Sequence, residues 1–320
     1  MKKLYRLFIV LLLAGAVLAG CGNEAQETED NKQEGNQQEQ SAFPTTITDA
    51  QDREIVIENK PEKIVSLIPS NTEIAFELGL GDEIVGVSDF DNYPDEANDK
   101  EKIGGQEFNV EKIISLSPDL VLAHNSSAHN GEAGLQQLRD SGITVLVVND
   151  AASFDEVFES ITMIGTAAGE KEKAEELIKQ LKDRLVEVEE KAKSILPEDR
   201  KTVFVEISPA PEIYAVGQET FLNNMLQLIQ ADNVVTEEGW PKLDEESVIE
   251  RNPEVIITTY GYYTENAEGQ VLNRNGWQDV TAIKNEQVID VHSDKVTRTG
   301  PRLIEGVEEL AKAIYPEVFK

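Results

Sequence analysis

From residue 63 onward the chain alternates short apolar runs with longer stretches whose apolar residues recur every third or fourth position. "KIVSLI", "EIVGVS", "DLVLAH" and "TVLVV" read as buried strands. "SNTEIAFELGLG", "VEKIISLS", "GLQQLRDSG" and "FDEVFESITMIGTAAG" read as the helices between them. Glycine or proline closes most of these helices, as expected where a helix must stop. A shorter β-like stretch, "TTITDAQDREIVIE", with a turn at "DAQD", precedes the series. Alternation of this kind builds a mostly parallel sheet with helices on its faces.

The pattern changes between Glu170 and Leu196. Ala174, Leu177, Ile178, Leu181, Leu185, Val188, Ala192 and Ile195 follow the helical period, and no Gly or Pro interrupts before Pro197. A helix of that length spans about 40 Å, more than one small lobe needs. A coiled-coil partner helix is the rival reading, but a second strand–helix series begins at once. It runs through "TVFVEI", "ETFLNNMLQLIQ", "NVVT", "DEESVIERN", "EVIITT", "WQDVTAI" and "QVIDVH" to a closing helix from Pro301 to Ala313. The expected fold class is therefore α/β: two lobes, each a mostly parallel sheet flanked by helices, joined by one long α-helix.

The length of 320 residues agrees with two lobes. The 61 acids outweigh the 29 bases and give a net charge of −32, so nucleic-acid phosphate would be repelled. Lys2, Lys3 and Arg6 precede the apolar run "LFIVLLLAGAVLA", too short and wrongly flanked for a spanning helix, which ends in "LAGC". That ending resembles a bacterial lipobox, with Cys21, the one cysteine of the chain, as the lipid attachment site. A lone cysteine excludes an intrachain disulfide and a cysteine-based zinc site. Residues 22–42 carry six acids and almost nothing apolar, the composition of a disordered tether. The expected division is a signal peptide over 1–20, lipidated Cys21 and tether over 21–42, an N-terminal lobe over 43–168, a linking helix over 169–197 and a C-terminal lobe over 198–320. The protein should then sit on the outer face of the cell membrane, held by lipid alone.

One segment occurs twice. "EKIISLSPDLVLA" begins at Glu111 and "ESVIERNPEVIIT" at Glu246, 135 residues later and without a gap. Each reads as helix, proline turn and buried strand. An acid in a first helical turn is favoured by the helix dipole, which accounts for either glutamate singly but not for two lobes offering the same group.

At this point the chain resembles the iron and vitamin B12 class of ABC-transporter substrate-binding proteins, the type with a single long helix between lobes. The likeness covers roughly residues 44–320. It is carried by "IVSLIPSNTEIAFELGLGDEIVGVSDFDNYP", "NVEKIISLSPDLVLA", "GWPKLDEESVIERNPEVIIT" and "HSDKVTRTGPR". Within the class it is most similar to cobalamin binders: Phe90 precedes "DNYP", Trp240-Pro241 stands where the second lobe meets the cleft, and Asp294, Arg298 and Pro301-Arg302 follow near the end.

The resemblance implies a monomeric receptor, without cofactor or resident metal, that performs no chemistry. It implies that cobalamin is bound between the lobes and delivered to a permease dimer. Glu111 and Glu246 would dock on arginines of the two permease subunits. Phe90, Phe108, Trp240, Tyr260, Asp294 and Arg298 would contact the ligand, with Tyr93, Tyr262 and Tyr263 as further candidates. The family's cobalamin binders carry Trp at the position of Gly105 and an aromatic residue at that of His124. These departures keep a ferric siderophore or haem open as the alternative.

Two other chemistries compete. His124, His129 and His292 are the only histidines, and "HNSSAH", expected on a loop, spaces two of them by five residues; with Asp294 they would form a zinc-receptor site. An anchored hydrolase can share a two-lobed α/β form, but the chain has no G-x-S-x-G, H-E-x-x-H, G-x-x-x-x-G-K-[ST] or G-x-G-x-x-G.

Overall fold

The computed structural model describes residues 42–320. The expected signal peptide, Cys21 and the tether up to residue 41 lie outside the described residues. Strands β1 (Thr45–Thr48) and β2 (Glu54–Ile57) form an antiparallel hairpin. Its turn is the one expected at Asp49–Asp52. Asp49 Oδ1 accepts the N–H groups of Gln51 at 2.9 Å and Arg53 at 3.0 Å, while Asp52 takes a φ of 59°.

The first series then runs β3 (Ile64–Ser66), α1 (Pro69–Glu77), β4 (Ile84–Val87), β5 (Glu101–Lys102), α2 (Val110–Leu116), β6 (Leu120–His124), α3 (Asn125–Asp140), β7 (Thr144–Val148) and α4 (Phe154–Ala167). Its five strands lie in the order β5-β4-β3-β6-β7, and every pairing is parallel. Helix α3 starts nine residues before the expected "GLQQLRDSG" and takes in "HNSSAH" as its opening turn. The cause is local: the His124 side chain caps the helix by accepting the N–H of Ser126, so the polar run after it winds instead of looping.

Helix α5 (Lys171–Ala192) leads to the second series. It continues with β8 (Thr202–Ser208), β9 (Ile213–Ala215), α6 (Phe221–Leu228), β10 (Asp232–Asn233), β11 (Lys242–Leu243), α7 (Glu245–Arg251), β12 (Val255–Thr258), α8 (Ala267–Leu272), α9 (Thr281–Lys284), β13 (Val288–Asp290), α10 (Ser293–Thr297) and α11 (Leu303–Ile314). Strands β10, β8, β12 and β13 are parallel, while β9 and β11 add an antiparallel edge. That edge was not expected, because strands of two or three residues leave no period to detect. The two mostly parallel sheets joined by one long helix match the fold class read from the sequence.

Helix α5 does more than connect. Leu181, Leu185, Val188 and Ala192 enter one continuous core with Ile161 and Ile164 of α4, Leu222 and Leu226 of α6, and Val307 and Leu310 of α11. Each fully buried Leu or Val contributes about 1.5–3 kcal/mol. At the start of α5, Ala174 sits so close to Gly165 that a Cβ there would lie 2.5 Å from the Ala174 Cβ. The opposite sheet faces build separate cores around Val121 and Val145 in the first lobe and Phe204, Ile256 and Trp277 in the second.

Candidate ligand cleft

In parallel sheets the strands end on one side, and ligands gather where the loops beyond those ends diverge. Here β7 ends before Asp150, β12 before Thr259 and β13 before Val291. A cleft of about 560 Å³ opens between the lobes at these ends. Asp150 and Ala152 line it from the first lobe; Glu219, Phe221, Trp240 and Thr259 line it from the second. Ser293, Thr297 and Thr299 add a hydroxyl wall. Among the described residues lining this cleft, none is Lys, Arg or His.

Trp240 is 49 % exposed. The segment bearing it is stitched to the strand-edge loop, with Gly217 N–H donating to Gly239 O at 2.8 Å and Ala215 N–H to Pro241 O at 3.0 Å. Gly239 takes a φ of 70°, which glycine adopts freely, and Pro241 follows the indole. Phe90 is 54 % exposed on the loop after β4. Its ring lies over Gly105, where a Cβ would stand 3.1 Å from the ring, and its carbonyl accepts from Arg298 at 3.2 Å. That bond ties the Phe90 backbone to the second-lobe segment that carries Thr297 and Thr299, but Phe90 itself is not among the residues that line the cleft.

Arg298 is not a free cation. Its guanidinium bonds Glu73 Oε1 at 3.0 Å, Asn92 Oδ1 at 2.7 Å and Asp294 Oδ2 at 3.1 Å, besides the Phe90 carbonyl. Asp294 in turn accepts from Asn92 Nδ2 at 3.0 Å. Both expected ligand residues therefore form a bridge between the lobes. Glu73, Asn92 and Asp150 were missed in the sequence. The available signal was four polar residues, Ser70 to Glu73, opening the helix that follows a buried strand; all four are buried.

Two expected contacts are corrected. Tyr260 is fully buried, and its hydroxyl donates to Glu206 at 2.6 Å. Burial, and then the neighbouring Glu206 carboxylate, push its phenol well above the usual range. Arg274 closes that network with two bonds to Glu206, at 2.8 and 2.9 Å, and stacks on Trp277. A tyrosine directly after a strand end is drawn inward here because Glu206 needs partners. Phe108 is half-buried and seated on α3, where Gly131 and Gly134 would place a Cβ 2.9 and 2.8 Å from its ring. It packs against the first lobe's core instead of replacing a cleft aromatic. Tyr93 lies under Arg302, whose guanidinium carbon is 4.0 Å from the ring centre. Tyr262 and Tyr263 are exposed and meet edge to face at 4.7 Å.

His124 is buried, with Nδ1 engaged by Ser126 Oγ at 2.8 Å. Burial lowers its pKa, and Asp150 partly offsets this. Among the described residues no group of three His, Cys, Asp or Glu is arranged to hold a metal ion. A second hollow of about 640 Å³, against α1 and Tyr93, is walled by Glu77, Asp82, Glu96 and Asp99. Burial, with Glu305 and Glu73 nearby, raises the Glu77 carboxyl. This hollow lies off the strand ends and has the character of an acidic surface groove.

Glu111 and Glu246 are both exposed, each the second residue of a seven-residue helix. The surrounding repeat is reproduced in detail. Asn109 and Asp244 cap the two helices through the N–H groups of Lys112 at 2.9 Å and Ser247 at 2.8 Å. Ser117 and Asn252 close them in the left-handed region, with φ of 52° and 46°. The acid after each proline also has a matched task. Asp119 accepts the N–H groups of Glu62 and Lys63, both at 2.9 Å, ahead of β3; Glu254 accepts from the Thr202 N–H at 3.0 Å and its hydroxyl at 3.2 Å, at the start of β8.

Two α/β lobes joined by a core-sharing helix, with a cleft at their strand ends, define a solute-binding protein. The family profile described as "Periplasmic binding protein" matches residues 64–295, and the chain belongs to that family, whose role is binding and not catalysis. It is 49 % identical, over all of both chains, to an uncharacterized ABC transporter substrate-binding lipoprotein of Bacillus subtilis. A possible iron-binding, periplasmic solute-binding protein of Staphylococcus epidermidis superposes with a TM-score of 0.71 at 36 % identity, covering 80 % of this chain and 100 % of that one. The periplasmic vitamin B12 binding protein of Vibrio cholerae superposes with a TM-score of 0.66 at 27 % identity, covering 80 % and 97 %. The resemblance drawn from the sequence is upheld at the level of the family.

Proposed function

We propose that this protein captures cobalamin, or a related corrinoid, between its lobes and delivers it to the permease dimer of an ABC importer. Residues 1–20 export it and lipid on Cys21 anchors it to the outer face of the membrane. Residues 21–42 act as the tether, and the helical segment 169–197 joins lobes 43–168 and 198–320. Among the described residues no helix is long and apolar enough to cross a membrane.

The observation that carries the ligand assignment is the balance of groups at the cleft. Trp240 offers a half-exposed aromatic face there, and the rest of the wall carries hydroxyls, Asp150 and Glu219. A corrinoid is broad, partly apolar and fringed with amides that pair with such acceptors. An anionic chelate would need a cation, and Arg298 is already neutralised by Glu73 and Asp294. The second reading, a ferric siderophore or haem, draws on the likeness to the possible iron-binding protein of Staphylococcus epidermidis.

Titration with cyanocobalamin, a panel of ferric siderophores and haemin, followed by tryptophan fluorescence, decides between them. Trp277 is fully buried, so a change reports on Trp240. Micromolar or tighter binding of cyanocobalamin is expected. Binding of an iron chelate alone would overturn the corrinoid reading.

A further inference from the structure

The loop from Phe90 to Tyr93 is gripped from both lobes. Toward its own lobe, Asp91 is buried, accepts from Ser88 Oγ at 2.5 Å and offers its carbonyl to Lys102 Nζ at 2.7 Å. Toward the second lobe, the other three residues meet two arginines. Arg298 takes the Phe90 carbonyl and Asn92 Oδ1, and Arg302 stacks on the Tyr93 ring. The arginines share one carboxylate across the lobe boundary. Glu73, 1 % exposed on α1, receives Arg302 Nε at 2.9 Å, Arg302 Nη2 at 2.6 Å and Arg298 Nη1 at 3.0 Å. With Asp294 the cluster holds two acids and two bases. Arginine forks fix such geometry in direction as well as distance. A buried pair of this kind adds little net stability, yet removing one member strands the others.

We infer that Glu73 is a positioning residue for the ligand cleft: through Arg298 and Arg302 it sets the spacing of the lobes and holds the Phe90–Tyr93 loop against the segment that carries the cleft residues Thr297 and Thr299. The carboxylate does not line the cleft itself. It acts by orienting Arg298, whose remaining bonds grip the Phe90 backbone. The cleft is thereby shaped before ligand arrives. Only the use of this cleft for ligand rests on the function proposed above.

The test is amide hydrogen exchange on the full chain carrying Glu73→Gln, which keeps the shape and removes the charge. Exchange is expected to quicken about tenfold or more in residues 88–93 and 294–299 together, with α2 and β12 unchanged. A uniform rise across both lobes, or no change in either segment, would overturn the inference. Should Glu73→Gln fail to fold, Arg298→Lys is measured instead, since lysine keeps the charge but cannot bridge Glu73, Asn92 and the Phe90 carbonyl at once. Cyanocobalamin affinity is expected to fall in whichever variant shows the paired quickening, and an unchanged affinity there would refute the link to the cleft. If the unaltered protein does not bind cyanocobalamin, the ligand assignment fails while the exchange result still decides the role of Glu73.

Discussion

Glu111 and Glu246 stand 135 residues apart in sequence and at the same place in two lobes, each second in a seven-residue helix with the same cap at either end. Neither carboxylate has a fold-building task of the kind given to Asn109, Asp244, Asp119 or Glu254. Helix-dipole attraction accounts for an acid at one such site. Duplication with matched backbone geometry is what docking on the two subunits of the proposed permease dimer would use.

Reversing both glutamates, Glu111→Lys with Glu246→Lys, should therefore abolish uptake in cells while leaving ligand affinity and melting temperature near the parent values. Transport assays beside fluorescence titration check this. Equal loss of binding would show that these residues belong to the cleft and not to docking.

The other repeated acid should behave in the opposite way. Asp119 and Glu254 tie the turn after each proline to the start of the neighbouring strand, β3 or β8. Asp119→Ala and Glu254→Ala leave backbone donors without their partners, so each should lower the melting temperature. Neither faces the cleft, and ligand affinity should hold. Unchanged melting in both variants would remove the strand-clamp role.

Much of this was legible beforehand, and the limits have physical causes. The parallel strands and α5 announce themselves because both faces of the former and one stripe of the latter must be apolar. The matched helices were visible because capping, turn and strand all recur at one offset. Tyr260 and Phe108 misled because an aromatic near a strand end looks alike whether it points into a cleft or folds back onto Glu206 or the glycines of α3. Glu73 was invisible as a bridge because its partners lie 225 and 229 residues away, a distance that only tertiary structure closes.

His124 should give the protein an acid-side weakness. Burial depresses its folded pKa, while in the unfolded chain it titrates near about 6.5. The unfolded state thus takes up the proton first, so stability is full above that value and declines as pH falls toward the folded pKa. His124→Asn keeps a side-chain acceptor for the cap of α3 and removes the titration. Thermal unfolding between pH 5 and 8 should show the parent losing ground to the variant as pH drops. Parallel profiles would mean that the buried imidazole is not responsible.

Trp240 is the single residue on which ligand binding should depend most. It is large, half-exposed, fixed by a backbone stitched at Gly239 and Pro241, and it lines the cleft. Aromatic anchors of this sort typically lose on the order of 2 kcal/mol on truncation, roughly thirtyfold in affinity. Trp240→Ala should weaken binding by that amount without altering the melting temperature, because little of the indole is committed to the core. Trp240→Phe should recover part of the loss by restoring an aromatic face. The alanine variant has lost the reporting indole, so its affinity is read by equilibrium dialysis of cyanocobalamin. Equal affinity in all three proteins would place the ligand away from Trp240, and with it away from the cleft.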